Sequence, residues 1–151
     1  MNTRKTWREK LEKPDGPRMV DNPWGRGPMV IPRPLDVDAL IRQVPQGKLV
    51  TVNQLREKLA HRYGVPTACP LTTGIFVRIA AEAAEEDRAA GKTEITPYWR
   101  VVKDDGTLNP KFPGGAEAQA ARLREEGHVV LEGKGKRPPK VEDVESQLQT
   151  L

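Results

Sequence analysis

At 151 residues the chain is the size of one compact domain with tails, which excludes two domains of ordinary size. It has no apolar run able to cross a bilayer and no basic segment followed by an apolar one, so no membrane partner and a cytoplasmic protein are expected. One cysteine, Cys69, and two histidines, His61 and His128, exclude an internal disulfide and are too few for a metal site; no metal and no cofactor are expected.

The net charge of +4 points to an acidic partner, and its distribution is uneven. Residues 1–34 hold eight basic and four acidic side chains, residues 35–131 thirteen of each, and residues 132–151 four of each. The expected organisation is therefore a basic Pro/Gly-rich N-terminal arm over 1–34, a domain over 35–131 and a C-terminal tail over 132–151. Six prolines (Pro14, Pro17, Pro23, Pro28, Pro32, Pro34) with Gly16, Gly25 and Gly27 disfavour helices or a core in the arm. It is expected to be extended, with one short helix at Thr6–Glu12. Its Trp7 and Trp24 either dock on the domain or stack on bases beside Arg8 and Arg26.

Within the domain, Asp36 is the expected N-cap of a first helix carrying Val37, Leu40, Ile41 and Val44 at helical spacing until Pro45 stops it. Gln46-Gly47 is a turn. Thr51 starts a second helix as a capping box with Gln54, burying Leu55, Leu59 and Ala60 before Gly64 ends it. A third and longest helix begins at Pro70 and runs through Ile75, Phe76, Ile79, Ala80 and Ala83 to Gly91. Ile95 to Val102 is rich in β-branched and aromatic residues and predicts a strand. Asp104-Asp105-Gly106 is a turn, making Lys103–Phe112 a wing-like hairpin. Gly114-Gly115 precede a fourth helix, Ala116–Glu126, which Gly127 ends before a short strand, His128–Leu131. The tail from Gly133 carries Lys134, Lys136, Arg137 and Lys140 around Pro138 and Pro139, then an acidic amphipathic stretch, Val141–Leu148, with room for one short helix. Three helices followed by a hairpin give a mainly α fold with a small β hairpin, the winged helix-turn-helix pattern.

The same residues carry a family resemblance. Val44 to Thr51 (VPQGKLVT) resembles the IPxGKVxTY opening of the DNA-binding domain of O6-alkylguanine-DNA alkyltransferases, the methylated-DNA-protein-cysteine methyltransferases. Gly64 to Ala68 (GVPTA) resembles the family's GxPxA turn. Pro97-Tyr98-Trp99-Arg100-Val101-Val102 stands where the family has PCHRVV. Asp105-Gly106, Pro113-Gly114-Gly115 and Leu123 to Gly127 (LREEG) follow in the family's order over roughly residues 36–131. The resemblance implies duplex DNA as partner, a place in DNA repair, and DNA-facing positions at Thr51, Thr72, Thr73, Arg78, Arg100 and Lys103.

Departures from the family pattern decide the expected activity. There, the cysteine of PCHRVV attacks the alkyl carbon of a flipped-out base and is activated through the histidine, a water and the glutamate of the EG motif. Here Pro97, Tyr98, Trp99, Arg100 and Glu126 form a degenerate version, with Tyr98 at the acceptor position. A phenol of ordinary pKa near 10 is protonated at neutral pH and a poor nucleophile toward an alkyl group, so no catalytic residue and no enzyme activity are expected. Glu126 is read mainly as a fold residue. Cys69, ahead of the third helix, is read as a small buried residue, although a helix N-terminus can lower a thiol pKa. Tyr98 and Trp99 either stack on a base in the old lesion pocket or fill it.

The family's phosphate-disturbing tyrosine is Val52 here, and its base-replacing arginine is Pro70 or, if Gly74 matches the family glycine, Leu71. An aliphatic side chain can wedge between bases but cannot replace their hydrogen bonds. Along the third helix Thr72, Thr73 and Arg78 are available to a groove, while Glu82, Glu85, Glu86 and Asp87 would repel phosphates if they faced them. Two readings follow. One is a cysteine-lacking alkyltransferase-like protein that recognises duplex DNA, alkylated guanine included, without repairing it and marks the site for repair proteins; the basic arm and the wing cations Arg100, Lys103 and Lys111 favour it. The other is a non-catalytic winged-helix interaction domain, favoured by the neutral domain and the missing arginine and tyrosine.

Overall fold

The computed structural model describes residues 6–14 and 16–151; the arm charges Arg4, Lys5 and Asp15 lie outside them. Thr6 caps α1 (Trp7–Leu11) by accepting a hydrogen bond from the Glu9 amide at 3.0 Å. Five residues cannot sustain a helix alone, and tertiary contacts hold this one. Leu11 is fully buried, the first-turn amides of Trp7 and Arg8 donate to the Glu86 carboxylate at 2.9 Å each, and the Arg8 guanidinium pairs with Asp87.

The rest of the arm forms a hairpin. β1 (Arg18–Asp21) and β2 (Pro28–Ile31) pair antiparallel, with Arg18 opposite Ile31 and Asp21 opposite Pro28. Met29 and Val30 of β2 enter the core, and β2 continues in parallel with β4 (Thr67–Ala68). The short helix expected at Thr6–Glu12 is present, while the rest of the arm, expected to be extended without a core, is corrected to a hairpin that enters the core. Pro28 is the first residue of β2, Pro17 and Pro32 flank the strands, Pro23 lies in the turn and Pro34 starts α2, so these prolines do not interrupt the pairing. The core partners of the arm lie far along the chain. Leu11→Ala is expected to cost about 2–5 kcal/mol in denaturant unfolding, whereas a loosely attached arm would show a change under about 0.5 kcal/mol.

α2 (Pro34–Arg42) starts two residues before the predicted N-cap. Arg33 holds the cap position, and Asp36 sits one turn in, accepting from the Arg33 amide and guanidinium at 3.0 Å and from the Tyr63 hydroxyl at 2.6 Å. Pro34 suits the first helical position, which explains the shift. Thr51 and Gln54 form the expected reciprocal capping box of α3 (Val52–Arg62), at 3.1 and 2.9 Å. Thr51→Ala is expected to lower stability by about 1 kcal/mol, checked by thermal unfolding.

α4 (Pro70–Ala89) is the long helix, and Gly91 follows it at φ +92°. Its alanine-rich inner face packs on α1, α2 and the buried Leu40, Leu55 and Leu59.

After α4 the structure departs from the predicted strand at Ile95–Val102. Tyr98–Arg100 form a 3-10 turn, and only β5 (Val101–Val102) is extended, pairing in parallel with β3 (Val50–Thr51). A strand would send Tyr98 and Trp99 to opposite faces; both pack inward instead. Nor is Lys103–Phe112 a two-stranded hairpin. The Lys103 amide closes the turn on Thr107 at 3.0 Å with Gly106 at φ +90°, but Leu108 then bonds to Pro139 of the tail at 2.9 Å. The segment is a loop pinned by the tail.

α5 (Gly115–Glu125) leads to β6 (Val130–Leu131), which pairs antiparallel with β7 (Lys140–Val141). The acidic stretch of the tail forms a 3-10 turn, Glu145–Gln147, and its flanking backbone clasps Leu49 at 2.8 and 2.7 Å. Val141 joins Leu49, Val102, Leu108, Ala120, Leu123 and Val130 in a second core. Helices dominate the described residues, with three small sheets. Among those residues no helix is long and apolar enough to cross a membrane.

Candidate nucleic-acid interface

Spacing along α4 divides its first half into two faces. Thr73 and Val77 point into the core with Ala80, Ala81 and Ala84 below them, while Leu71, Ile75 and Arg78 point outward. Leu71 is 63% and Ile75 55% exposed, an unusual amount of bare apolar surface for the start of a helix. They form one wall of a cleft of about 420 Å³. Its opposite wall is the loop after β5, contributing Lys103, Asn109, Pro110 and Lys111. Gly74 lies in the helix wall beside open space, where a Cβ would meet nothing within 4 Å. Among the described residues the cleft carries three cations, Arg78, Lys103 and Lys111, and no carboxylate. Its volume lies in the range of small-molecule sites.

The sequence-derived DNA positions separate into two groups. Arg78 and Lys103 both line this cleft, the Arg78 guanidinium also lying 5.9 Å from the Trp7 ring centroid, and Thr72 is half-buried at the start of α4. Thr73 is fully buried, its hydroxyl donating to the Cys69 carbonyl at 2.7 Å, and Thr51 is buried as a helix cap. Arg100 is also taken inside. Its guanidinium donates to the Val44 carbonyl at 2.7 Å and to Glu126 at 2.7 and 2.9 Å, with 13% of the side chain exposed. These three serve the fold in this conformation, and Lys111 stands where a wing cation was expected.

The degenerate motif is closed. Tyr98 is 3% exposed and packs edge-on against Trp99 and Phe112, at centroid distances of 5.3 and 5.4 Å. Its hydroxyl donates to Glu85 at 2.7 Å. Burial, and then the Glu85 carboxylate, raise the phenol well above its ordinary pKa, so its proton is held firmly. Trp99 donates from Nε1 to Glu126 at 2.9 Å, and the Arg122 guanidinium lies 4.3 Å from its ring centroid. Of the two alternatives for this aromatic pair, the packing matches space filling. Neither ring lines the cleft. Cys69 is 5% exposed at the N-cap of α4; burial pushes its thiol up, but hydrogen bonds from Thr72 bring it below the ordinary value.

Glu85, the partner of Tyr98, has no signal in the sequence, because its contacts with Tyr98 and Arg122 span 13 and 37 residues. Of the four carboxylates on the acidic half of α4, Glu85, Glu86 and Asp87 prove to be paired, while Glu82 has no ion-pair or hydrogen-bond partner among the described residues. Glu85 meets Arg88 at 2.7 Å and Arg122 at 3.0 Å, Glu86 accepts the first-turn amides of α1, and Asp87 meets Arg8 and, at 3.5 Å, Lys92. The repulsion of phosphates expected from these carboxylates is therefore largely neutralised within the fold.

These pairs also set the pH response. Burial would raise Glu85, Glu126 and Asp36, but hydrogen bonds and cations outweigh it and hold all three below the usual carboxylate range. Their stabilisation is present above the unfolded pKa values of about 4 and is lost as pH falls through the lower folded values. Tyr98 has the opposite sign: its contribution is present below about pH 10 and is lost as pH rises above that. Thermal midpoints are accordingly expected to fall on acidification below about pH 4 and again above about pH 10.

No family model and no curated protein matches the chain. Solved structures do, among them two from S. pombe. One is Atl1 of S. pombe in complex with damaged DNA containing O6-carboxymethylguanine; the other is the S. pombe ATL protein in complex with DNA. Each is 18% identical, with a TM-score of 0.53, over 78% of this chain and 94% of that chain. The chain therefore has the fold of these S. pombe alkyltransferase-like proteins.

Proposed function

We propose that this chain is an alkyltransferase-like DNA-binding protein without methyltransferase activity. It recognises duplex DNA, alkylated guanine included, and marks it for repair proteins. The cleft between the start of α4 and the 103–111 loop carries this reading: among the described residues it has three cations, no carboxylate, and exposed aliphatic groups on a protruding helix. Lys103, Lys111 and Arg78 meet phosphates, Thr72 offers a hydroxyl beside them, and Leu71 stands where a wedge would enter the stack. The likeness of fold to proteins solved on DNA supports the same reading. The closed Tyr98 side supports the absence of transfer, since it offers neither a thiolate nor a free base.

Ile75→Glu tests it, because Ile75 is exposed in the cleft and can change without touching the core. Duplex affinity, with and without O6-alkylguanine, is expected to fall by roughly 1–3 kcal/mol at an unchanged thermal midpoint. Thr73→Glu would not serve, since it buries a charge and tests folding. Unaltered duplex binding by folded Ile75→Glu would favour the interaction-domain reading.

A further inference from the structure

We propose that α4 is flanked by two cationic walls, and that Lys10, Lys13 and Arg18 of the N-terminal arm grip a second stretch of phosphate backbone opposite the 103–111 loop. This rests on the DNA-binding reading above and concerns a part of the chain that the motif resemblance does not reach.

A second cleft, of about 730 Å³, runs along the other flank of α4. Lys10, Lys13 and Arg18 lie on it together with the apolar Ile31, Phe76 and Ile79, and every charged residue described on its lining is basic. Each α-helical residue advances about 100° around the axis. Ile75 and Arg78 therefore line the first cleft while their neighbours Phe76 and Ile79 line the second, and the exposed ridge of α4 stands between. Among the described residues neither cleft has a carboxylate on its lining. Apolar walls of low polarisability concentrate the field of a single-sign rim and raise the local concentration of a polyanion. Lys10 is held in place, its ammonium 4.1 Å over the Trp7 ring, and Trp7 is anchored in turn through Glu86.

Duplex geometry supplies the reason for two walls. A DNA groove is bounded by two phosphate strands, so a helix laid along or into it has one strand on each side. Cations on one flank would serve only one strand. The α1 docking has a double effect: it neutralises Glu86 and Asp87 on α4 and sets the arm's cations beside the ridge.

The test compares salt dependence of duplex binding for the full chain, for Lys13→Gln/Arg18→Gln, and for Arg78→Ala/Lys103→Ala/Lys111→Ala, at matched thermal midpoints. The arm pair is expected to flatten the slope of log affinity against log salt by up to about 0.9 for each phosphate no longer neutralised, hence about 1.8 in all. Lys13→Glu/Arg18→Glu should weaken binding further at every salt concentration. If the arm variants keep the parent slope while the cleft variant flattens it, the arm proposal is overturned and the DNA-binding reading stands. A parent with no salt-dependent duplex binding overturns both.

Discussion

Incubated with duplex DNA carrying labelled O6-methylguanine, the protein is expected to remain unlabelled. In-line attack on an alkyl carbon requires a soft, deprotonated nucleophile beside a bound base. The acceptor position holds Tyr98, whose phenol proton is retained by burial and donated to Glu85 at 2.7 Å. The neighbouring position holds Trp99, an indole that can only donate and already does so to Glu126. The motif therefore offers no base ready to activate a nucleophile. Cys69 is the single thiol and is 5% exposed at the N-cap of α4, apart from the motif. Stoichiometric label on Cys69 would contradict this account, and mass spectrometry of the reacted protein decides it.

Glu126→Ala is expected to cost about 3–5 kcal/mol of stability, the range found when one member of a buried ion pair is removed. Glu126 accepts from Trp99 Nε1 at 2.9 Å and from two nitrogens of Arg100, and only 10% of its side chain is exposed. Alanine would leave the Arg100 charge buried, with the Val44 carbonyl as its remaining acceptor. The same substitution would release the Trp99 ring that joins the two cores. Glu126→Gln keeps an acceptor and should cost less. Denaturant unfolding measures both, and a change below about 1 kcal/mol for Glu126→Ala would show that the pair is not a structural anchor.

Local signals suffice where a few neighbouring residues set the outcome. The Thr51–Gln54 capping box, the start of the long helix at Pro70, and the glycine stops at Gly64, Gly91 and Gly127 are each set within one turn of chain. The arm and the tail are not legible in this way, because what orders them is remote. Leu11 and the α1 amides meet α4 nearly eighty residues later, and Leu49 is clasped by residues near 148. The 95–100 segment misleads for another reason: β-branched and aromatic composition records burial, and burial at Tyr98 is achieved by a 3-10 turn. For the site, Arg78 and Lys103 can be picked out as cations, but their place on the lining of one cleft is a fact of the fold. The placement of Thr73 and Arg100 inside the molecule turns on helix phase and on the partner Glu126, which spacing alone does not decide.

Equilibrium binding to a short duplex across a salt series tests the central claim most directly. The parent is expected to bind with a steep negative slope, and Arg78→Ala/Lys103→Ala/Lys111→Ala to flatten it by up to about 0.9 per phosphate, or about 2.7 if all three cations meet DNA. Salt-independent binding, no binding, or a triple variant that folds and binds as the parent does would contradict a nucleic-acid interface at this cleft.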